Sequence, residues 1–313
     1  MLQLKFIPQL WVIKLKTMWN KENIAAQNGK TILVTGANTG IGYETALALY
    51  QAGAHVILAC RTTEKALETQ LKLETQGGNG SLEIGVIDLS DLESVTQFAK
   101  GFTAKHQKLD VLINNAGVMV PPASYTKQGY ELQFGVNYLG HFALTGYLYP
   151  LLKNTPKSRV VMLSSLAAQG VADFDNLKME KSYDANREYG ISKMACLQFA
   201  MEMQKRVTAA ADDILVVSAH PGGTFTSLSR HLSEDVFNGM IEQYGGFMPA
   251  WQGALPTLYA ALADEVTPAG YYGPDGGLRG YPAVAEIPQE AQDAGLSKAL
   301  WQKAEELTGV RFL

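Results

Sequence analysis

From Lys30 onward the chain alternates short, continuous apolar runs with longer stretches in which apolar positions recur every three or four residues. The runs "TILVTG" (31–36), "HVILAC" (55–60), "LEIGVID" (82–88), "DVLINNAG" (110–117), "RVVMLSS" (159–165) and "DILVVSAH" (213–220) have strand length and are rich in Val, Ile and Leu. Helical patterns separate them: about Ile41 to Gln51, "TEKALETQLKLE" (63–74), "DLESVTQFAKGF" (91–102), a long region through Tyr130–Leu152, and the segment carrying Tyr189. Asp91 or Ser90 stands where it can cap the third of these. A strand that is apolar at every position has no solvent face, so these runs predict a parallel sheet covered by helices on both sides. Right-handed crossovers make such a sheet doubly wound. No Pro/Gly/Ser-rich linker and no internal repeat divides the chain. The reading is therefore one α/β domain, residues 30–313, behind an N-terminal arm, residues 1–29.

Beyond Pro221 the pattern loosens. Residues 224–250 are rich in Phe, Met, Leu and Tyr and contain no clear strand. Two readings stand: a segment covering a substrate at the carboxyl edge of the sheet, or a helical hairpin closing the core. The arm, "MLQLKFIPQLWVIKLKTMWNKEN", has as its longest uncharged run Phe6 to Ile13. That is far below the roughly 20 residues needed to span a bilayer. It also lacks the small-residue cleavage site of a secretory signal. Lysines interleaved with Leu, Ile, Phe and Trp suit an interfacial anchor making peripheral membrane contact, or an arm packed on the domain or on a partner subunit.

Composition narrows the chemistry. A formal net charge of −4 on 313 residues, without a long Lys/Arg run, gives no reason to expect nucleic acid. The two cysteines, Cys60 and Cys196, have neither CxxC spacing nor a histidine cluster nearby in sequence. No metal and no disulfide is expected, and a reducing, cytoplasmic location fits, with membrane association resting on the arm alone.

The first strand runs into "TGANTGIG", which opens a helix. Gly36, Gly40 and Gly42 allow a tight turn and close backbone approach to a pyrophosphate, and the helix N-terminus offers free N–H groups to phosphates. Strand before and helix after is the context a dinucleotide site requires. An acidic residue ending the second strand would bond the ribose hydroxyls of NAD; this chain has Cys60 and then Arg61, whose guanidinium suits a 2′-phosphate, so NADP(H) is the expected cofactor. Asp88 could meet an adenine amino group, or simply form a turn. Two tyrosine–lysine pairs at helical i,i+4 spacing occur, Tyr149/Lys153 and Tyr189/Lys193. Spacing alone does not choose between them.

Taken in order, "TGANTGIG", Asp88 in "DLS", "NNAG" (114–117), Asn137 in "VNYLG", "SS" (164–165), "YGISK" (189–193) and "PGGTFT" (221–226) resemble the short-chain dehydrogenase/reductase family. The resemblance covers residues 31–226. It implies a Rossmann-like seven-stranded parallel sheet whose last strand falls in "GYYGPDGG" (270–277). It also selects Tyr189, because the family's active tyrosine follows the serine-ending strand, whereas Tyr149 precedes it. Tyr189 would be the general acid/base, with Lys193 lowering its pKa and holding the nicotinamide ribose. Ser165 rather than Ser164 matches the serine that positions the substrate oxygen, and Asn137 the residue supporting a water link from the lysine.

The cofactor would lie along Gly36, Asn38, Thr39, Gly40, Ile41 and Gly42, then Arg61, Asp88 and Leu89, then Asn114, Ala116 and Gly117. At the nicotinamide end it would meet Tyr189, Lys193, Pro221, Gly222 and Thr226. The long insert between Ser165 and Tyr189, "CR" after the second strand and the tail "LWQKAEELTGV" resemble the retinol dehydrogenase-like and protochlorophyllide reductase-like branch. The resemblance implies NADP(H)-dependent hydride transfer to or from a bulky apolar carbonyl or alcohol. Its alternatives are reduction of a conjugated carbon–carbon double bond, or a non-catalytic NADP(H)-binding redox sensor. Homo-oligomers are common in the family, and the oligomeric state is left open.

Overall fold

The computed structural model describes residues 18–228 and 234–313. Seven strands run parallel: β1 (Thr31–Thr35), β2 (His55–Cys60), β3 (Ser81–Val86), β4 (Val111–Asn114), β5 (Ser158–Leu163), β6 (Ile214–Ala219) and β7 (Tyr271–Pro274). The eighth, β8 (Pro282–Val284), pairs antiparallel with β7 and ends the order β3-β2-β1-β4-β5-β6-β7-β8. The seven expected parallel strands are all present among the described residues, and the antiparallel eighth is an addition to them. A three-residue strand that opens with proline, which has no N–H to give a ladder, carries almost no apolar-run signal.

Helices α1 (Gly40–Gln51), α2 (Thr63–Gln76), α3 (Leu92–Lys105), α4 (Gly140–Asn154) and α5 (Ala185–Ala209) make the crossovers. Then come α6 (Glu234–Tyr244), α7 (Ala250–Gly253), α8 (Leu255–Leu262), α9 (Gln289–Gln292) and α10 (Ala294–Thr308). Both faces of the sheet are covered, and β1 illustrates why the run had to be apolar throughout. Leu33 enters one core, with Phe142, Phe199, Trp301 and Phe312 from α4, α5 and the C-terminal segment. Ile32 and Val34 enter the other, with Leu49 of α1 and Leu258 of α8. Successive side chains of a strand face opposite ways.

The long helical region through 130–152 is interrupted at its start. Residues Phe134–Leu139 form a π-helical segment that passes directly into α4, and all six are buried. Buried Glu131 accepts hydrogen bonds from the backbone N–H groups of Gln133 (2.9 Å) and Phe134 (2.7 Å) at its entrance. Of the arm, residues 18–29 are described. Trp19 packs edge-on against Tyr259 of α8 at 5.4 Å, and Lys21 pairs with Glu44 of α1 at 3.3 Å, so this part lies on the domain. The anchor reading of residues 1–17 lies outside the described residues. Among the described residues, no helix is long and apolar enough to cross a membrane.

β1 sits between β2 and β4, so the crossover direction reverses there. Carboxyl ends of strands diverge at such a point and leave a crevice. The candidate site occupies it.

Candidate active site

A cleft of about 570 Å³ runs across the carboxyl ends of the strands, from Arg61, Lys65 and Lys72 at one end to Tyr189, Lys193 and Thr226 at the other. Its floor is the turn between β1 and α1. Gly36 and Gly40 have φ of +66° and +55°, a region that disfavours side chains. A Cβ on Gly42 would lie 2.3 Å from the Gly36 carbonyl oxygen, and one on Gly36 2.9 Å from Ala116 Cα. Thr39 is the N-cap of α1 in position, but its side chain makes no capping hydrogen bond. First-turn N–H groups of α1 therefore face a cleft lined by Asn38, Thr39, Gly40, Ile41 and Gly42. Uncapped N–H groups above glycines that admit no Cβ are the cradle a pyrophosphate needs.

Along the cleft, Arg61 is exposed at the end of β2, and Lys65 stands one turn into α2. Asp88 and Leu89 line the opposite wall. The Asp88 carboxylate accepts from both the N–H (2.9 Å) and the hydroxyl (2.6 Å) of Ser90, forming a turn before α3. Asp91, not Ser90, caps that helix through the N–H of Glu93. From the fourth strand the lining comes from Asn115, Ala116, Gly117 and Val118. Of the residues expected along the cofactor and at the reacting end, Asn114, Ser165 and Gly222 are not in the cleft lining. The Asn114 side chain is buried and donates to Thr145 Oγ1 at 3.0 Å, in the core behind the cleft. Asn115 ties the loop instead, donating from its side chain to the Thr35 carbonyl at 2.7 Å. β4 ends at Asn114, and strand alternation no longer predicts direction past a strand end.

The other end of the cleft is built on α5. Tyr189 and Lys193 lie one turn apart on the face toward the cleft, and both are buried. The Lys193 ammonium donates to the carbonyl of Leu163, at the end of β5, over 3.1 Å. Of its three N–H donors this uses one. A Cβ placed on Gly117 would lie 3.5 Å from Lys193 Nζ and 3.2 Å from Asn137 Oδ1, so glycine leaves these groups room. The two serines after Leu163 differ in what they do. Ser164 is buried and donates its hydroxyl to the Lys193 carbonyl at 2.7 Å, locking β5 to α5. Ser165 Oγ accepts from the Ala167 N–H at 3.1 Å, and its carbonyl accepts from the Tyr271 hydroxyl at 3.2 Å. Ser164 lines the cleft, but its proton is engaged.

Asn137 sits in the π-helical segment. Its side chain pairs with both backbone groups of Val118, accepting at 2.8 Å and donating at 3.0 Å, and donates to Ser192 Oγ at 2.9 Å. It therefore fixes the loop after β4 against α5. π-Bulges inside helices often mark functional sites.

Behind it, His141 closes a network that the sequence did not announce. Its Nδ1 is 2.9 Å from the Asn137 carbonyl, which only accepts, so Nδ1 carries the proton. Nε2 then accepts from Thr35 Oγ1 at 2.9 Å, and that oxygen accepts from the N–H groups of Asn115 and Ala116. Burial, aided by the Lys193 charge, lowers the His141 pKa to about 4 against the pull of the Asn137 carbonyl, so the ring is neutral.

Pro221 and Thr226 line the cleft, and Thr226 also meets the position of a Gly40 Cβ at 3.0 Å. Gly222 (φ +62°) serves the loop, its Cα facing the Leu278 carbonyl and Pro274. Of the proposed apolar cover, Leu228 lines the cleft, Phe225 is exposed and Met248 is buried. A bridge between Thr224 and Met248 closes the segment's base, so it contributes to both the cleft and the core. Residues 229–233 and the side chains of Phe237, Met240 and Tyr244 lie outside the described residues. The rival pair is structural. The Tyr149 hydroxyl donates to Asp212, which also pairs with Lys153 at 3.1 Å, joining α4 to the turn after α5.

Residues 30–236 match the family model of the short chain dehydrogenases. The chain is 39% identical over 286 residues to Retinol dehydrogenase 11 of Homo sapiens, covering 90% of this chain and 86% of that protein. It is 38% identical over 290 residues to Retinol dehydrogenase 13 of Mus musculus, covering 90% and 84%. Among solved structures, an uncharacterised protein from Mycobacterium Paratuberculosis superposes with a TM-score of 0.80 at 35% identity, over 95% of this chain and 100% of that one. The Pseudomonas aeruginosa RhlG/NADP active-site complex superposes with a TM-score of 0.64 at 25% identity, over 81% and 97%. With the uncapped glycine cradle at one end of the cleft and the tyrosine–lysine pair at the other, these matches establish that the chain belongs to the short-chain dehydrogenase family of oxidoreductases.

Proposed function

We propose that the protein is an NADP(H)-dependent carbonyl reductase/alcohol dehydrogenase acting on a bulky apolar substrate, with Tyr189 as its general acid/base. The observation that carries the proposal is the placement of Tyr189 and Lys193 on one face of α5, both lining the same cleft as the glycine turn. A bound nicotinamide supplies hydride to the substrate carbon, or accepts it, and the chain's own groups manage the oxygen.

A tyrosine hydroxyl with its ordinary pKa near 10 transfers protons poorly at neutral pH. An ammonium one turn away on the same helix face sets positive charge beside the oxygen on which negative charge develops. Lys193 has this position, and its remaining donors are free for ribose hydroxyls. Ser165 donates its hydroxyl proton to the substrate oxygen as charge develops there. Ser164 does not compete for this role, because its proton is engaged by the Lys193 carbonyl. Asn137 and the neutral His141 hold the loop after β4 in register with α5.

At the far end, Arg61 and Lys65 supply the positive charge that a 2′-phosphate requires, and no acidic residue ends β2. Asp88 and Leu89, with Ala116 and Gly117, flank the adenosine, and Pro221 and Thr226 flank the nicotinamide. Leu228, which lines the cleft from the covering segment, and the retinol dehydrogenases among the relatives support a large apolar alcohol or carbonyl over a polyol. Burying such a substrate contributes about 0.8 kcal/mol per methylene.

Stopped-flow oxidation of bound NADPH against aliphatic and aryl-alkyl aldehydes and ketones, polyol-derived ketoses and conjugated enones tests the reading. Turnover should rise with apolar length, and Tyr189→Phe should abolish it while NADPH still binds. Preference for enones or sugars would overturn the substrate class. Binding without turnover on every substrate would make the protein a sensor.

A further inference from the structure

At the opposite end of the sheet from the cleft, the first residue of β2, the middle of β3 and the C-cap of α3 converge. His55, Glu83 and His106 each present one ligating atom there, all within 4.8 Å of one another. We propose that these three residues bind a divalent transition-metal ion of the zinc type, cross-linking β2, β3 and α3. Fifty residues separate the two histidines in sequence, so no short-spaced ligand motif marks them and none contradicted the expectation of no metal.

The backbone creates the site. β2 and β3 pair in register with His55 opposite Ser81 and Ile57 opposite Glu83. Residues two apart on a strand share a face, which puts Ser81 and Glu83 on the same side as His55. His106 arrives from the end of α3, its ring stacked on Phe102 with centroids 4.3 Å apart. Glu83 Oε1 is 3.1 Å from His106 Nε2, and Oε2 is 3.3 Å from His55 Nε2. In a tetrahedral zinc site with bonds of about 2.0–2.1 Å, neighbouring donors lie roughly 3.3 Å apart. The two carboxylate–imidazole distances are near that spacing, one to each carboxylate oxygen, and with all ligating atoms within 4.8 Å a bound ion needs only a small inward shift of the side chains.

The orientation of one ligand is fixed from behind. His55 Nδ1 lies 2.7 Å from Ser81 Oγ, which can accept its proton and leave the Nε2 lone pair toward Glu83. Metal-bound histidines ordinarily have such a partner on their other nitrogen. Two imidazoles and a carboxylate are a donor set for zinc or nickel rather than for calcium or magnesium. All three side chains are partly buried, at 30%, 20% and 12% exposure, leaving an open side for a water as fourth ligand. The competitor is Lys105, whose ammonium pairs with Glu83 Oε2 at 2.8 Å. That side chain is 63% exposed and can turn into solvent when the cation arrives.

The test is isothermal titration of Zn²⁺ into the metal-free full-length protein at pH 7.5, with thermal unfolding in parallel. One equivalent should bind saturably and raise the melting temperature, since a ligand held only by the folded state stabilises it. His55→Gln and His106→Gln should each abolish both effects, and Ser81→Ala should weaken binding roughly tenfold. Lys105→Ala should tighten it, a sign that general loosening of the edge would not produce. His231→Gln, which changes another histidine of the chain, should leave binding unchanged. NADPH affinity, read at the far end of the sheet, verifies that each variant is folded. Absence of saturable Zn²⁺ binding to the wild type, or binding that survives His55→Gln and His106→Gln, overturns the proposal. Loss of binding in His231→Gln would do the same.

Discussion

Tyr149 and Tyr189 carry the same i,i+4 lysine signature, and the proposed function gives them opposite consequences when the hydroxyl is removed. In Tyr149→Phe the ring keeps its contact with Phe312 (centroids 5.6 Å apart), so the loss is the bond to Asp212. A hydrogen bond to a charged group contributes about 1.5–3 kcal/mol. For a chain of this size that lowers the melting temperature by roughly 3–6 °C, taking about 2 °C per kcal/mol.

The sign of the pH dependence follows from Asp212. Its carboxyl is held below the usual range, first by the Tyr149 hydroxyl and then by Lys153. A depressed carboxylate contributes stability that is complete above its ordinary pKa, near 3.9, and is lost as the pH falls through the lowered value. The gap between Tyr149→Phe and wild type should therefore be full at pH 7 and close below about pH 4. Equilibrium urea unfolding across that range measures it, with steady-state turnover at pH 7 alongside. Tyr149→Phe should lose stability and keep kcat. Tyr189→Phe should do the reverse. Loss of turnover at Tyr149 with unchanged stability would refute the assignment of both pairs.

Lys193→Met should weaken NADPH binding and lower kcat, because the ammonium is assigned to the nicotinamide ribose and to the charge on the tyrosine oxygen; unchanged NADPH affinity would remove the lysine from cofactor binding. Arg61→Asp should weaken NADPH by roughly ten- to a hundredfold, the equivalent of a 1.5–3 kcal/mol charged contact, and favour NADH in relative terms; a wild type that already prefers NADH would contradict it. Burial lowers the pKa of both His141 and His220 to about 4, against an ordinary value near 6.5. The unfolded chain protonates first, so this contribution is complete above about pH 6.5 and is lost on acidification toward 4, by up to about 1.4 kcal/mol per pH unit for each ring. His220→Gln should flatten the slope of urea stability between pH 6.5 and 5, and an unchanged slope would place its titration elsewhere.

The strands were legible because a sheet covered on both faces demands apolar residues at every position, as in Ile32, Leu33 and Val34. The order of motifs then chose between two tyrosines that local spacing could not separate. What escaped the sequence was what depends on exact backbone placement. A helical pattern has nearly the same apolar recurrence whether its bonds are α or π, so the Phe134–Leu139 segment read as helix and its altered carbonyl direction stayed hidden. Asn114 and Asn115 are neighbours of one residue type at a strand end, and only the fold decides that the first faces Thr145 and the second Thr35. Nothing in the sequence singles out His141, because its partners come from β1 and the loop after β4.

The extra strand at the end of the sheet bears on how the molecule behaves in a crowd. An exposed strand edge is a template on which another chain can continue the ladder. Here the outermost strand beyond β7 is three residues long and begins with Pro282, which has no N–H to offer. Val284 stands 81% exposed at its end, a single apolar side chain rather than a strip. β8 thus acts as a terminator: it satisfies the edge of Tyr271–Pro274 and presents too little ladder to recruit a neighbour. Resistance to open-ended strand addition on this side is set by a few residues after the last parallel strand.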